Sequence, residues 1–263
     1  MSTTNFIIIN SKYRTANSRS TSDFTYSIGE SLEVDGITIK DISIPNVAYN
    51  INEFNNKLSF TYGGLQASLT VPEGQYTVSQ LSTYLETELS TLFGTALDLT
   101  LGDTTKKLTF TTTQLFRISN KESDSPLSKL LGIPFGTSFY PLLEQAGFTA
   151  PEIPQLQGPN NYLLSSQVLA QGYASILTDG KHVPIIMPVP ITVEWGQIEQ
   201  YESNDTELNT KHFARLQNIQ NIDIKIFDDD LNVVDLHGQD VEIVIKVKVK
   251  DNLPAHLNHI GRQ

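Results

Sequence analysis

The feature that most constrains this chain is the alternation near its C-terminal end. Val241, Ile243, Ile245, Val247 and Val249 occupy every second position, and Glu242, Lys246 and Lys248 stand between them. A period of two puts all five β-branched residues on one face of a pleated strand, and no helix can bury that set together. Ile222, Ile224 and Ile226 repeat the pattern, as do Phe24, Tyr26 and Ile28. Strands with one apolar face need a second layer to cover them, so the expected class is mainly β, built as a sandwich.

Between 37 and 44 the pattern changes phase. Ile37 and Ile39 take odd positions, Ile42 and Ile44 even ones. A bulge or bend at Lys40-Asp41 would keep all four facing one core, since a straight strand would turn half of them to water. Residues 183–193 carry Pro184, Pro188 and Pro190, which cannot donate to a ladder and confine this stretch to an edge or a bent strand. Asp228-Asp229-Asp230-Leu231-Asn232 reads as a hairpin-type turn between the last two strands.

The middle third has another character. Short strands are expected around 58–60, 69–71, 97–101, 108–110 and 115–118. Thr77 and Gln80 have capping-box spacing, and Val78, Leu81, Leu85, Leu89 and Leu92 form a stripe at helical steps before Gly94. Ser125-Pro126 opens a shorter helix through Leu131. From 133 to 161 Pro134, Pro141, Pro151, Pro154 and Pro159 leave no period, which predicts a long structured loop. The division expected is an N-terminal arm with the first strand over 1–22, a mainly β domain from 23–57 and 159–263, and an inserted α+β domain over 58–158.

Charge narrows the partners. Eighteen Lys and Arg against 29 Asp and Glu give −11, and Lys12, Arg14 and Arg19 are the only charges before Asp23, so residues 1–22 carry +3 and the rest −14. An acidic body of this kind does not coat nucleic acid or an anionic membrane, because phosphate contacts need clustered cations. The Ser/Thr/Asn-rich stretch from 10 to 22 reads either as a solvated arm or as one that orders against a neighbouring subunit or an anionic surface. Lys246, Lys248 and Lys250 share one strand face, which reads as a solvated face, a guarded sheet edge, or a contact with an acidic neighbour or nucleic acid.

Chemistry-bearing constellations are sparse. With no cysteine there is no disulfide, thiolate metal site or cysteine nucleophile. Asp228, Asp230 and Asn232 alternate as calcium ligands do, but Val233 and Gln239 stand where that loop needs Gly and Glu. His256 and His259 have helical spacing in a Pro-containing tail without an adjacent carboxylate, so no zinc site is expected. There is no nucleophile elbow, phosphate loop or dinucleotide fingerprint. Trp195, the single tryptophan, reads as a core or sheet-packing residue rather than a sugar platform. Residues 6–9 are too short for a signal sequence, no apolar run is long enough to span a bilayer, and Asn204-Asp205-Thr206 is expected to be an ordinary loop. The residues thus predict a non-enzymatic soluble protein of a reducing compartment without catalytic, metal or cofactor residues.

Several stretches carry a resemblance. Phe6-Ile7-Ile8-Ile9-Asn10-Ser11-Lys12-Tyr13-Arg14 followed by Ser22-Asp23-Phe24-Thr25-Tyr26 resembles the opening of penton-type minor capsid proteins of virophages, polinton-like viruses and some large double-stranded DNA viruses. Ile44-Pro45-Asn46-Val47-Ala48-Tyr49-Asn50-Ile51 is similar to their "IPN…YNI" segment, and Pro72-Glu73-Gly74-Gln75-Tyr76-Thr77 to their "PPGNYT" turn, with Glu73 where a second Pro is common. Leu130-Leu131-Gly132-Ile133 and Val233-Val234-Asp235-Leu236-His237-Gly238 extend the likeness, with His237 where Asn is common. The resemblance implies a single jelly roll forming homopentameric vertices beside a major capsid protein, in a virion assembled in the host cytoplasm. The insertion would meet a fibre, a decoration protein or a host receptor, and neither a specific nucleic acid nor a cofactor is expected. Lys12, Tyr13, Arg14, Arg19, Lys246 and Lys248 become the candidate inter-subunit contacts. The alternative is a tail-fibre or lectin-like β module binding glycans.

Overall fold

The computed structural model describes residues 2–170, 175–176, 182–203 and 211–250. The Asn204 acceptor, His256, His259 and Tyr173 lie outside the described residues. In chain order the elements are β1 (Ser2–Asn10), β2 (Asp23–Pro45), β3 (Lys57–Tyr62), β4 (Leu65–Thr70), α1 (Val78–Phe93), β5 (Leu97–Leu101), β6 (Leu108–Ser119), α2 (Leu127–Leu130) and β7 (Phe139–Thr149). They continue with β8 (Asn161–Ser165), β9 (Ser175–Ile176), β10 (His182–Val183), β11 (Ile185–Pro190), β12 (Ile198–Glu202), β13 (Lys211–Phe227) and β14 (Glu242–Lys250). Two compact units emerge: one from Met1–Ala48 with Pro159–Gln263, the other from Tyr49–Gly158.

In the first unit β2 is long enough to serve two sheets. Its 34–45 half pairs with β14 on one side and β12 on the other, and β14 pairs with β1. Its 23–27 half pairs with the 221–225 part of β13, whose earlier residues 211–219 continue the ladder along 32–37 of β2; β13 pairs in turn with β8, and β8 with β11. All these ladders are antiparallel. Counting the halves of β2 separately, the eight strand segments run first–eighth–third–sixth in one sheet and second–seventh–fourth–fifth in the other. That order is the jelly-roll arrangement.

The predicted bulge is present. Val244 pairs with Asp41 and the next residue, Ile245, with Ile39, so Lys40 is the extra residue. Ile37, Ile39, Ile42 and Ile44 are consequently all buried. One core joins them to Ile7 and Ile9, to Ile243, Ile245 and Val247, and to Phe24, Ile222, Ile224, Ile226 and Tyr162. The proline-bearing strand β11 ends the sheet, as a strand short of donors must.

Two readings of this unit change. Residues 2–22 are not a solvated arm: β1 pairs with β14 over nine positions, and Ile9, Ser11, Thr21 and Ser22 are buried. The Ser/Thr-rich stretch buries hydroxyls against backbone instead of apolar groups against each other, which hydrophobic patterning does not register. The 228–232 turn does reverse the chain, but onto Val233, which bridges Phe227. The strands on either side of it, β13 and β14, pair with β2 rather than with one another, so the connection crosses between sheets.

The second unit is α+β. Its sheet runs β4-β3-β6-β5, with β7 also paired to β6. The capping box at Thr77 and Gln80 forms, and Gly94 ends α1 with φ +66°. Leu81, Leu85 and Leu89 are buried, but Leu92 faces out and Phe93 turns in, 4.9 Å from the Tyr62 ring and 5.5 Å from Phe116. Strand β7 replaces part of the expected loop. Its register with β6 shifts on both sides of Phe116, and this irregularity with Pro141 removes the alternation that would have marked it.

Candidate subunit-contact surfaces

The sheet β1-β14-β2-β12 ends in two different edges. On β1 two of the residues that face away from the core are large and apolar: Phe6 is 61% exposed and Ile8 58%. They pair with Lys246 and Val244, and Thr4 pairs with Lys248. Both lysines are half-buried on this outer face. Because β14 has neighbours on both sides, the reading of these lysines as guards of a sheet edge is corrected.

At the opposite edge, Ile198 on β12 is 57% exposed, and Gln200 and Glu202 follow at the same parity. The preceding 191–197 turn presents Trp195, which is 46% exposed rather than packed in the core. Polar contacts clamp that turn. Buried Glu199 accepts from the Thr192 and Val193 amides and from the Thr192 hydroxyl. Asn46 donates through Nδ2 to the Val193 carbonyl at 2.9 Å, and its backbone bonds Gly196 and Gln197. A tryptophan held on a fastened turn loses little freedom when something docks on it.

Lys12, Tyr13, Arg14 and Arg19 are all exposed on the connection from β1 to β2. Its backbone is pinned from below. The Ser11 hydroxyl donates to Asp240 at 2.8 Å and accepts from the Val241 amide, while the Ser22 hydroxyl donates to the Val234 carbonyl. Arg14 turns back to the Ser11 carbonyl at 3.0 Å, and Arg19 stands 3.7 Å from Asp23, which Lys225 also approaches. These four positions therefore share one connection. Lys246 lies opposite Phe6, four residues before Asn10 and about 13 Å back along the strand. The structure thus separates the six residues into two groups.

The acidic turn is occupied with its own backbone. Asp228 accepts from the amides of Asp230 and Asn232 and from the Asn232 side chain. Burial raises its pKa, partly offset by the Asn232 hydrogen bonds. Asp229 accepts from Asn160 and Asn161, and so ties the turn to the start of β8. His237 stands 3.4 Å from Asp235. Among the described residues no three His, Asp or Glu gather as a metal site, and no helix is long and apolar enough to cross a membrane.

No protein-family profile matches this chain, and no curated protein matches it either. Among solved structures it is similar to the crystal structure of the mavirus penton protein, with 10% identity and a TM-score of 0.45, covering 94% of this chain and 100% of that one.

The sequence reading missed the β12 edge. Ile198 and Trp195 are isolated apolar residues among polar ones, with no periodic partner to mark them. The signal that could have found the turn is Asn46 directly after Pro45, a polar residue ending an otherwise apolar strand.

Proposed function

We propose that this protein is a non-enzymatic structural subunit of an icosahedral virus capsid, of penton type, whose copies close into a ring of five at the vertices. The observation that carries the reading is the pair of unlike edges on one sheet. One presents Phe6 and Ile8 beside Lys246 and Lys248; the other presents Ile198, Trp195 and Glu202. A closed ring of identical chains needs a heterologous interface, in which each chain offers two different complementary patches. Apolar side chains at the centre and opposite charges at the rim fit that need.

The sequence resemblance to penton proteins of virophages and related double-stranded DNA viruses supports the same reading, as does the jelly-roll strand order. Lys12, Tyr13, Arg14 and Arg19 are suited to contacts with the surrounding major capsid protein, because they are exposed on a backbone already fixed by buried hydrogen bonds. The 58–158 insertion would meet a fibre, a decoration protein or a host receptor, in a particle assembled in the host cytoplasm.

Native mass measurement of the full chain tests this reading. A species of five 29.2 kDa chains is the expected result, diminished in Phe6→Asp. A monomer at every concentration would overturn it. Exposed Trp195 favours the glycan-binding alternative, and a trimer with saturable glycan affinity would establish that reading instead.

A further inference from the structure

The backbone of β1 has an open side whose positions the ladder fixes. The Ser11 amide donates to the Val241 carbonyl at 2.9 Å, one step beyond the pair Asn10 and Glu242. In an antiparallel ladder the hydrogen-bonding side alternates from residue to residue. Asn5, Ile7 and Ile9 therefore turn their backbone groups to β14, and Thr4, Phe6 and Ile8 turn theirs away. The same rule applies to β12. The Asn46 amide donates to the Gln197 carbonyl at 2.7 Å and the Ser203 amide to the Lys40 carbonyl at 2.9 Å. These bonds assign Glu199 and Tyr201 to β2 and leave the backbone of Ile198, Gln200 and Glu202 pointing outward. Among the described residues β1 pairs with β14 alone, and β12 with β2 alone.

β1 also lacks the devices that keep edge strands apart. Ser2–Asn10 holds no charge and no proline, and its register with β14 runs unbroken over nine positions. The edge strand β11, by contrast, carries Pro188 and Pro190.

We propose that β1 of one copy adds to β12 of the next as an antiparallel strand, so that the contact is a main-chain ladder and the sheet continues from subunit to subunit. This contact rests on the ring proposed above and specifies how its two edges join. Direction agrees: β1, β14, β2 and β12 alternate, so the first and last run oppositely, and a copy that extends the sheet in the same sense lays its β1 antiparallel to β12. Register follows from matching the open positions. With Phe6 opposite Gln200, Ile8 meets Ile198 and Thr4 meets Glu202, all six side chains being exposed. About six main-chain hydrogen bonds then form, two to each pair. Glu202 comes within two strand spacings, about 10 Å, of Lys248, which stands opposite Thr4 on the same face.

Thr4→Pro in the full chain removes an outward amide and sets a ring in the path of the added strand, at no cost in hydrogen bonds to β14. In native mass spectrometry the concentration at which pentamers half-assemble should rise about tenfold or more in Thr4→Pro and stay unchanged in Thr4→Ala. A second readout leaves the backbone intact. The chain has no cysteine, so Thr4→Cys combined with Glu202→Cys should give disulfide-linked multimers on mild oxidation, as opposed Cα atoms about 5.5 Å apart permit. Thr4→Cys combined with Ile198→Cys, four residues off register, should not. Pentamers that assemble equally well in Thr4→Pro, or that form without cross-linking in the opposed pair, would overturn the ladder and leave the ring. A wild-type chain that stays monomeric would overturn both.

Discussion

Ile8 and Ile9 are the same residue type, adjacent on one strand, and the structure assigns them opposite fates. Ile9 is fully buried in the sandwich core opposite Ile243; Ile8 is 58% exposed on the outer face opposite Val244. Truncating Ile9 to Ala removes three carbons from the core. At about 0.8 kcal/mol per buried methylene that is roughly 2.4 kcal/mol, and the cavity left behind adds to it, for an expected loss of about 3–4 kcal/mol. The same truncation at Ile8 should stay within about 0.5 kcal/mol. Urea unfolding followed by Trp195 fluorescence reads this unit alone, because the only tryptophan belongs to it. With a slope of about 1–3 kcal/mol/M, Ile9→Ala should lower the midpoint by about 1 M or more at unchanged slope. Equal effects at the two positions, or a larger one at Ile8, would mean that β1 is not docked in this register. The same logic predicts that deleting residues 1–22 destabilises the sandwich rather than merely freeing it of a tail.

Further expectations follow from polar and backbone contacts. Asn50 is buried and its side chain donates to the carbonyls of Tyr76 and Leu156 and accepts from the Tyr76 amide, so Asn50→Ala strands three partners and should cost about 2–4 kcal/mol in thermal unfolding followed by circular dichroism. Gly132 has φ +81°, and an added Cβ would lie 2.2 Å from the Glu152 carbonyl oxygen; Gly132→Ala should therefore cost at least about 2 kcal/mol by the same measurement. Tyr162 is buried in the core, and desolvation raises its pKa to about 12 against a hydrogen bond with Ala48 that lowers it. Between pH 10 and 12 the unfolded chain releases a proton that the folded one keeps, so stability falls as pH rises, by up to about 2–3 kcal/mol. Tyr162→Phe should lack this alkaline loss, and parallel stability–pH curves for the two proteins would refute the assignment.

What the sequence discloses here is what periodicity encodes. The isoleucines of β2, β13 and β14 announce their strands, and even the bulge at Lys40 is legible, because a phase change in a buried strand has few physical remedies. The capping box of α1 is equally local. Partnership is not local. Nothing in the residues says that β13 and β14 both choose β2, since any strand with one apolar face can satisfy any other. The docking of residues 10–22 rests on hydroxyls of Ser11 and Ser22 finding backbone partners more than 200 residues away. Strand β7 stays hidden because its bulged register breaks the alternation. Of the candidate contacts, Lys12, Tyr13, Arg14 and Arg19 could be picked by charge and context, while Phe6, Ile8 and Ile198 differ from core residues only in which side of the sheet they face, and Trp195 only in standing on an outward turn.

The central functional claim is a head-to-tail contact between the β1 edge of one copy and the β12 edge of the next. It can be tested by mixing two variants, Phe6→Asp with a damaged β1 edge and Ile198→Asp with a damaged β12 edge. Each alone should remain a 29.2 kDa monomer in native mass spectrometry, having lost one of its two complementary faces. Mixed in equal amounts they retain one intact contact between them, and the account predicts a dimer of one copy of each that goes no further. Continued ring formation by either variant alone, or no association on mixing, would contradict it.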